Sequence, residues 1–489
     1  MSLSASFNSV RTSLTVTSSA SSVNARNIEG AGEDGYARRR AVVSSGPDGV
    51  RVVRIERTAD ELLASRTLAA SSRAGEMEAL ASSQARVAEI LSISDSSHSL
   101  IGRLGSLSRA IQTASTFPSD AGALASVLNE AKQIVGSLHG SHARLDELSK
   151  DADAQIVSSV SALNQKLLEF HEVDTRIAAG PGDLERSDLL DRRDVILAGI
   201  AKDISISRVA KPDGSSALYS TGGVVLYDRG VREFVVRSTG SLDEGPLRAS
   251  IFIDGVDVSS ASSSMPLTSG RLAGLLQVRD EIAPNVRYQL DEFAKGLVRA
   301  FTEGAPSSDS DIPTMQGLFV LQGHDSVPLL DHVPNAARLI AVNSNVDPDL
   351  GGNLNLIRDG GISNPADPRY SNNPQGDPGY SSRLLDYISR IGSPQSLSAS
   401  PGSISQFSIE EFSEQIIAAT GSRRVEAQGI AESARLTAEG FQTMLANATG
   451  VNLDEEMATM LNLENSYRAS TRLLASVNAL YESLFDAIR

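Results

Sequence analysis

Few residues in this 489-residue sequence have both the type and the spacing for chemistry. His139 and His142 stand three apart in a run of helical periodicity, which puts both imidazoles on one face, where they could share a metal ion. No third ligand lies nearby in sequence and Gly140 falls between them, so the pair reads as solvated. Asp347-x-Asp349-x-Gly351 has the opening rhythm of a calcium loop, which must close on a bidentate glutamate. Arg358 stands where that glutamate belongs, and the stretch reads as a loop. The Asp191-Arg-Arg-Asp194 cluster reads as a solvated or intrahelically paired helix face. The phosphate loop Gly-x-x-x-x-Gly-Lys-Ser/Thr, the Gly-x-Ser-x-Gly elbow, Ser-x-x-Lys and His-Glu-x-x-His are all missing. The expectation is a protein that is not an enzyme, with no catalytic residue, no cofactor and no metal.

Composition narrows the class further. A formal net charge of −16 argues against nucleic acid, because phosphate binding needs a basic footprint. Aromatic residues are 4% of the chain and Trp is absent, so cores must be built from Leu, Val, Ile and Ala, which suits long helices. Cysteine is absent, which removes disulfides and thiol chemistry. No run of 18 apolar residues exists to span a membrane. The N-terminus lacks the basic-then-apolar layout of a cleaved secretory signal.

With chemistry absent, the working surfaces must be sought in the elements themselves. From Gly450 to Arg489 neither Gly nor Pro interrupts the chain. Asn452 can cap a helix there, with Glu455 placed to reach back in a capping box. Leu453, Met457, Met460, Tyr467, Leu474, Tyr481, Phe485 and Ile488 fall at spacings of three, four or their sum. A second row of Leu463, Leu473, Val477, Leu480 and Leu484 lies beside the first, widening the stripe. Such a helix is roughly 55 Å long and must bury its stripe against something. At the other chain end Leu3, Phe7, Val10 and Leu14 repeat the spacing, continued by the polar or small Thr17, Ser21 and Asn24 and by Ile28. Two terminal heptad helices suggest a coiled-coil pair. An ordinary amphipathic helix on a globular core has the same spacing.

Between the ends, β-branched residues flank a Gly46-Pro-Asp-Gly49 turn, predicting a hairpin over 38–57. Thr58-Ala-Asp-Glu61 is a capping box that opens a helical stretch to about Thr116. Phe117-Pro-Ser119 breaks it, a second long helix runs to about Ala179, and a shorter one covers Ser187–Ala201. From 203 to 268 short alternating runs between Gly-rich turns predict a small β domain. Helix resumes over Ser269–Phe301, with a possible kink at Pro284. The Pro/Gly/Asn/Asp-rich stretch 302–403 reads as mostly loop, with short elements near Leu318–Leu321, Ala336–Val342 and Leu384–Ile391. Ser408-Ile-Glu-Glu411 is a third capping box and starts a helix to Leu445.

Thr449-Gly-Val-Asn-Leu-Asp-Glu-Glu-Met457 together with Asn478-Ala-Leu-Tyr-Glu-Ser-Leu-Phe-Asp-Ala-Ile-Arg489 resembles the C-terminal signature of the flagellar hook-associated protein 1 family. Leu189-Leu-Asp-Arg-Arg-Asp-Val-Ile196 resembles that family's Leu-Leu-Asp-x-Arg-Asp segment, and Gly49–Arg57 resembles its hairpin. Asn24-Ala-Arg-Asn27-Ile, followed by Gly35-Tyr36, is a departed form of the Asn-Asn-Ile…Gly-Tyr motif of axial flagellar proteins. The resemblance implies a structural subunit of the bacterial flagellum, self-assembling where hook meets filament. It also implies export by the flagellar type III route without a cleaved signal, and an extracellular place in the flagellum. Implied partners are further copies of the chain, the hook protein, the second junction protein and an export chaperone at the C-terminal helix, with no nucleic acid and no membrane insertion.

The expected fold is mainly α with inserted β, elongated and multi-domain. Residues 1–50 with 450–489 form a terminal coiled-coil domain, and 51–202 with 269–301 and 404–449 a helical bundle. Residues 203–268 form the inserted β domain and 302–403 a loop-rich segment. Leu3, Phe7, Val10, Leu14, Leu453, Met457, Met460, Leu473, Val477, Leu480, Leu484 and Ile488 are the expected assembly interface. Alternatives are another axial subunit, such as the second junction protein or a flagellin-like protein, a non-polymerising coiled-coil binding protein, or an enzyme with residues scattered over 203–404.

Overall fold

The structure, a computed structural model, describes residues 3–46, 49–91, 99–239, 248–260, 262–304, 313–324 and 327–488. In chain order it runs α1 (Leu3–Gly30), β1 (Arg39–Gly46), β2 (Gly49–Arg57), α2 (Glu61–Ile90), α3 (Leu100–Thr116), α4 (Ala121–Ala178) and α5 (Asp183–Asp203). Six short strands follow: β3 (Ile206–Ala210), β4 (Ser216–Ser220), β5 (Val225–Tyr227), β6 (Phe234–Thr239), β7 (Arg248–Ile253) and β8 (Val256–Asp257). Then come α6 (Arg271–Gln277), α7 (Ala283–Ala300), β9 (Phe319–Leu321), α8 (Ala336–Leu339), β10 (Ile340–Val342), α9 (Leu356–Asp359) and α10 (Ser382–Ile391). The hairpin β11 (Gln395–Ser400) and β12 (Ser403–Phe407) leads into α11 (Ile409–Thr449) and α12 (Leu453–Ile488). The fold is mainly α with small separate sheets inserted.

Two compact units divide the chain. Unit 1 comprises Met1–Met77, Ile156–Gly274 and Ala431–Arg489; unit 2 comprises Glu78–Gln155 and Leu275–Ile430.

In unit 1 β1 pairs with β2, and β3 to β8 form two antiparallel three-stranded sheets, β3-β4-β5 and β6-β7-β8. Polar groups of α4 and α5 seat them. Asn164 donates to the Phe234 carbonyl at 2.9 Å and accepts from its N–H at 3.0 Å, completing the end of β6. The Asp174 carboxylate, buried and pushed above its ordinary pKa mainly by that burial, accepts the Ser216 N–H at 2.9 Å. Phe170 meets Tyr227 edge-to-face with centroids 5.0 Å apart. Asp203, at the end of α5, binds Lys166 at 3.0 Å and Arg271 at 2.8 Å, gathering α4, α5 and α6 on one buried carboxylate. Small residues govern the α2 contact: a Cβ on Gly75 would sit 2.6 Å from the Lys202 carbonyl oxygen.

Unit 2 is built around α7, whose residues are almost all buried, including Gln289, Asp291, Glu292 and Lys295. Each of these polar groups finds a partner. Gln289 donates to the Ala399 carbonyl at 2.9 Å, Asp291 accepts the Asn335 and Ala337 N–H groups at 3.0 and 2.8 Å, and Lys295 bonds Glu292 at 3.1 Å. Phe301 stacks against Phe319 at 5.0 Å and Tyr387 at 4.7 Å. At Pro284, where the sequence suggests a kink, the turn before the proline widens into a π segment, Val278–Ile282, closed by Ala283 N–H to the Val278 carbonyl. That wider turn accommodates a ring that would clash with the carbonyl four residues back.

Several local expectations are corrected. The helix opened near residue 58 is capped by Asp60, which accepts the Leu63 N–H at 2.9 Å, and not by Thr58. The Ser408 box forms as read, with Ser408 Oγ accepting Glu411 N–H at 3.1 Å and Glu411 accepting Ser408 N–H at 2.8 Å. Helix 61–116 is divided into α2 and α3, and residues 92–98 lie outside the described residues, as do Pro47 and Asp48 of the hairpin turn. The β11–β12 hairpin replaces expected loop; its Ser-rich strands carry little β-branched alternation to announce it. Of the two histidines only His139 is exposed, as expected. His142 is buried with Nδ1 3.5 Å from Asp146, and His139 Nε2 lies 2.8 Å from the Ile340 carbonyl oxygen. Asp347 is a turn cap for the Asp349 N–H at 3.2 Å and an ion-pair partner of Lys132 at 2.8 Å. Among the described residues no helix is long and apolar enough to cross a membrane, and no group of three or more His, Asp or Glu is placed to hold a metal ion.

Candidate assembly interface

The terminal helices α1 and α12 of unit 1 pack against each other. Three side-chain pairs fix their direction as antiparallel. Phe7 meets Tyr481 edge-to-face at 6.3 Å, Ser13 Oγ lies 3.3 Å from Ser470 Oγ, and Asn24 donates to the Glu456 carbonyl at 3.0 Å. On α12 the residues turned toward this seam are Glu456, Met460, Leu463, Ser470, Leu474, Val477 and Tyr481, at heptad spacing and buried or half-buried. On α1 Phe7, Val10 and Leu14 are half-buried, and Thr17 and Asn24 of the same stripe are buried.

The seam therefore takes only part of the expected interface. Met460 and Val477 join it with Phe7, Val10 and Leu14. Leu453, Met457, Leu473, Leu480 and Leu484 do not: each keeps between 46% and 59% of its surface in solvent. Leu461, which the sequence reading omitted, is exposed as well. The side chains of Leu3 and Ile488 fall outside the described residues. A single partner helix covers one narrow seam, and the α12 stripe is wider than that. The uncovered residues split into two flanks: at 100° per residue, Leu453, Met457 and Leu461 lie to one side of the seam and Leu473, Leu480 and Leu484 to the other.

A polar lock closes the end of the seam where α12 begins. Asn452 caps α12 by accepting the Asp454 N–H at 3.0 Å, but Glu455 does not complete the expected capping box; it binds Arg38 at 3.0 Å. Glu456, nearly fully buried, takes Arg38 Nε at 2.7 Å and Asn27 Nδ2 at 3.1 Å, and also accepts from Asn24 Nδ2. Asn27 in turn donates to the Arg39 carbonyl at 2.9 Å and accepts the Arg39 N–H at 3.0 Å and the Tyr36 hydroxyl at 3.1 Å. The turn that allows this needs glycine. A Cβ on Gly30 would sit 2.5 Å from the Tyr36 ring, and Gly35 holds φ +82° against Val195.

Arg39 carries the lock onto α5. Its guanidinium binds Asp191 and Asp188, each at 2.7 Å, and lies 4.6 Å from the Tyr36 ring centroid. Burial works against its charge, but the two carboxylates outweigh that and hold its pKa above the ordinary arginine value. Asp191 also takes Arg57 at 2.7 Å, and Asp194 takes the same arginine at 2.8 Å. The Asp191–Asp194 cluster, expected to be a solvated or intrahelically paired face, keeps one pair within the helix, Arg193 with Asp194 at 3.2 Å, and is otherwise the socket for two arginines of the β1–β2 hairpin. Burial pushes the Arg193 guanidinium below its ordinary pKa, against the pull of Asp194. Buried charges are costly unless paired and hydrogen-bonded, and this network pairs them across four elements.

What the arrangement can do is fix the angle and register of the terminal pair on the rest of unit 1 while leaving two apolar flanks open. The Asn24, Asn27, Gly35 and Tyr36 signal was visible in the sequence as a motif, whereas its partner Glu456 was visible only as one acid in a helix-start run.

Comparison with known proteins finds similarity to flagellar proteins. Residues 85–304 match the family model described as the flagellar hook-associated protein FlgK helical domain. Flagellar hook-associated protein 1 of Salmonella typhimurium is 22% identical over 291 residues, covering 56% of this chain and 52% of the relative. The protein of the same name from Escherichia coli is 19% identical over 313 residues, covering 61% and 56%. The chain thus matches about half the length of these curated relatives. The solved structure of the flagellar hook junction protein FlgK from Burkholderia pseudomallei aligns with a TM-score of 0.44 at 18% identity, over 53% of this chain and 46% of that one.

Proposed function

We propose, on the premise that the chain is a member of the flagellar hook-associated protein 1 family, that it is a structural subunit of the hook–filament junction, assembling through its terminal helices. The observation that carries the reading is the row of exposed Leu and Met on α12 beside a seam already filled by α1. Isolated apolar residues on a surface are ordinary, but a periodic row along one helix marks a contact surface. Further copies of the chain cover that row in the assembly, and the helix pair, thinly buried in one copy, gains order as neighbours bury it.

Above and below lie different proteins of the same axis, the hook protein and the second junction protein. Before assembly the row is a hazard for aggregation, which suits an export chaperone at the C-terminal helix. The protein works outside the cell, in the flagellum, reached by the flagellar export route. Its task is mechanical and not catalytic.

Leu480→Asp with Leu484→Asp tests the reading, because both side chains are exposed and neither holds the fold of one copy. The double variant keeps its helical circular dichroism and unfolding midpoint but fails to assemble in sedimentation and fails to restore motility to cells lacking the wild-type chain. Unaltered assembly in a folded double variant would remove the role given to this row.

A further inference from the structure

The β1–β2 hairpin is the most basic stretch of an acidic chain: Arg38, Arg39, Arg40, Arg51, Arg54 and Arg57 against Asp48 and Glu56. Three of the six arginines are committed within the copy. Arg39 and Arg57 fill the α5 socket, and Arg38 answers Glu455 and Glu456. The others face outward. Strand pairing places Arg40 opposite Glu56, Val42 opposite Arg54 and Ser44 opposite Arg51 on the face turned away from α1, with a bulge between Val42 and Val43 that leaves Val53 in solvent. Glu56 is shared by Arg54 at 3.2 Å and Arg40 at 3.6 Å, so this outer face keeps a positive surplus around exposed valine.

The counterpart lies on α12 of the same unit. From Asp454 to Glu464 the helix carries four acids and no base, and its flank on that stretch is Leu453, Met457 and Leu461, all exposed. Arg38 satisfies Glu455 and Glu456, while Asp454 points away into solvent and Glu464 meets only its helix neighbour Arg468. One surface is apolar with basic edges and the other apolar with acidic edges. The hairpin base sits at the start of α12 through Arg38, and its tip reaches back to Ser9 and Thr12 of α1, which pack beside Gly49.

We infer that the outer face of the β1–β2 hairpin, Arg40, Arg51, Val53 and Arg54, docks on the Leu453–Met457–Leu461 flank of α12 in a second copy of this chain. Because the two patches differ, the contact is head-to-tail and passes from copy to copy, building a ring or an open helix according to the rotation between neighbours. Charge complementarity selects the register and speeds the encounter, and the valine, leucine and methionine surface supplies what is removed from water. The inference rests on the assembly reading above and adds the pair of surfaces that meet.

Two charge-inverted chains test it. Arg40→Glu with Arg51→Glu and Arg54→Glu inverts the hairpin, and Asp454→Lys with Glu464→Lys inverts the helix; every one of these side chains is exposed, and circular dichroism checks the fold. In low-salt sedimentation each inverted chain alone associates about tenfold or more weakly than wild type, and a mixture of the two recovers association. A hairpin-inverted chain that associates as wild type does overturns the docking while leaving assembly intact. A wild-type chain that never associates overturns the assembly reading and the docking with it. Because the chain has no cysteine, Val53→Cys and Leu461→Cys, in separate chains, give an independent readout. Oxidation of their mixture is expected to yield a disulfide-linked heterodimer; absence of that species at concentrations where wild type assembles also overturns the docking.

Discussion

Most of helix α7 in unit 2 is covered, and even its Gln289, Asp291, Glu292 and Lys295 are buried with hydrogen-bond partners. Helix α12 in unit 1 is twice as long, 36 residues against 18, yet Leu453, Met457, Leu461, Leu473, Leu480 and Leu484 stand in solvent. Both helices are rich in apolar residues at helical spacing. What separates them is supply of partners: α7 is surrounded by α8, α10, β9 and β11 of its own unit, while α12 has α1. One helix is finished by its own chain, and the other needs neighbours to be finished. Stability in this protein is therefore expected to be concentrated where assembly does not act, and assembly where stability is thin.

The largest effect that tests this contrast is in the core. Phe293→Ala in α7 removes a fully buried ring and is expected to lower unfolding free energy by about 3–5 kcal/mol, read from the denaturant midpoint. Leu480→Ala should shift that midpoint by no more than about 0.5 kcal/mol. Equal losses in the two variants would erase the distinction between the helices.

A smaller effect is expected at the lock. Glu456→Ala removes the buried carboxylate shared by Asn24, Asn27 and Arg38, which keep only their other partners, at a cost of about 1–3 kcal/mol confined to the terminal pair. Its signature is faster protease cleavage within residues 1–35 and 450–489, with unchanged cleavage in unit 2. Cleavage rates that rise equally in both units would show that the lock holds more than the terminal pair.

The smallest is a pH effect in unit 2. Burial raises the Asp291 carboxyl pKa, against the hydrogen bonds from Ala337 and Asn335 that favour the charged form. The folded chain then holds this proton more tightly than the unfolded chain, so its contribution to stability falls as pH climbs from the ordinary carboxylate value of about 4 through the raised folded value. Asp291→Asn removes that slope, and denaturant titrations from acid to neutral pH measure it; a slope unchanged in the variant would assign it to another group.

How far the sequence foretold these regions follows the range of the interactions involved. Heptad spacing in α1 and α12, the Ser408 box and the 58-residue α4 are local patterns, and each reads directly. Which row of α12 would meet α1 does not read, because Met460 and Val477 were drawn from different rows of one wide stripe and only the partner decides. Asp191 looked like a surface charge because its two arginines lie far off in the chain, at 39 and 57. His142 looked solvated for the same reason: burial by other elements leaves no mark on neighbouring residues. The lock's half on α1 was legible as a motif, while Glu456 and the choice of which arginines stay free were matters of tertiary packing.

Amide hydrogen exchange followed by mass spectrometry, on the monomer and on the assembled chain, tests the central claim most directly. In the monomer α12 amides are expected to exchange at least about a hundredfold faster than those of α7, and to slow on assembly while α7 stays as it was. An α12 as protected as α7 in the isolated monomer, with no further change on assembly, would contradict the account.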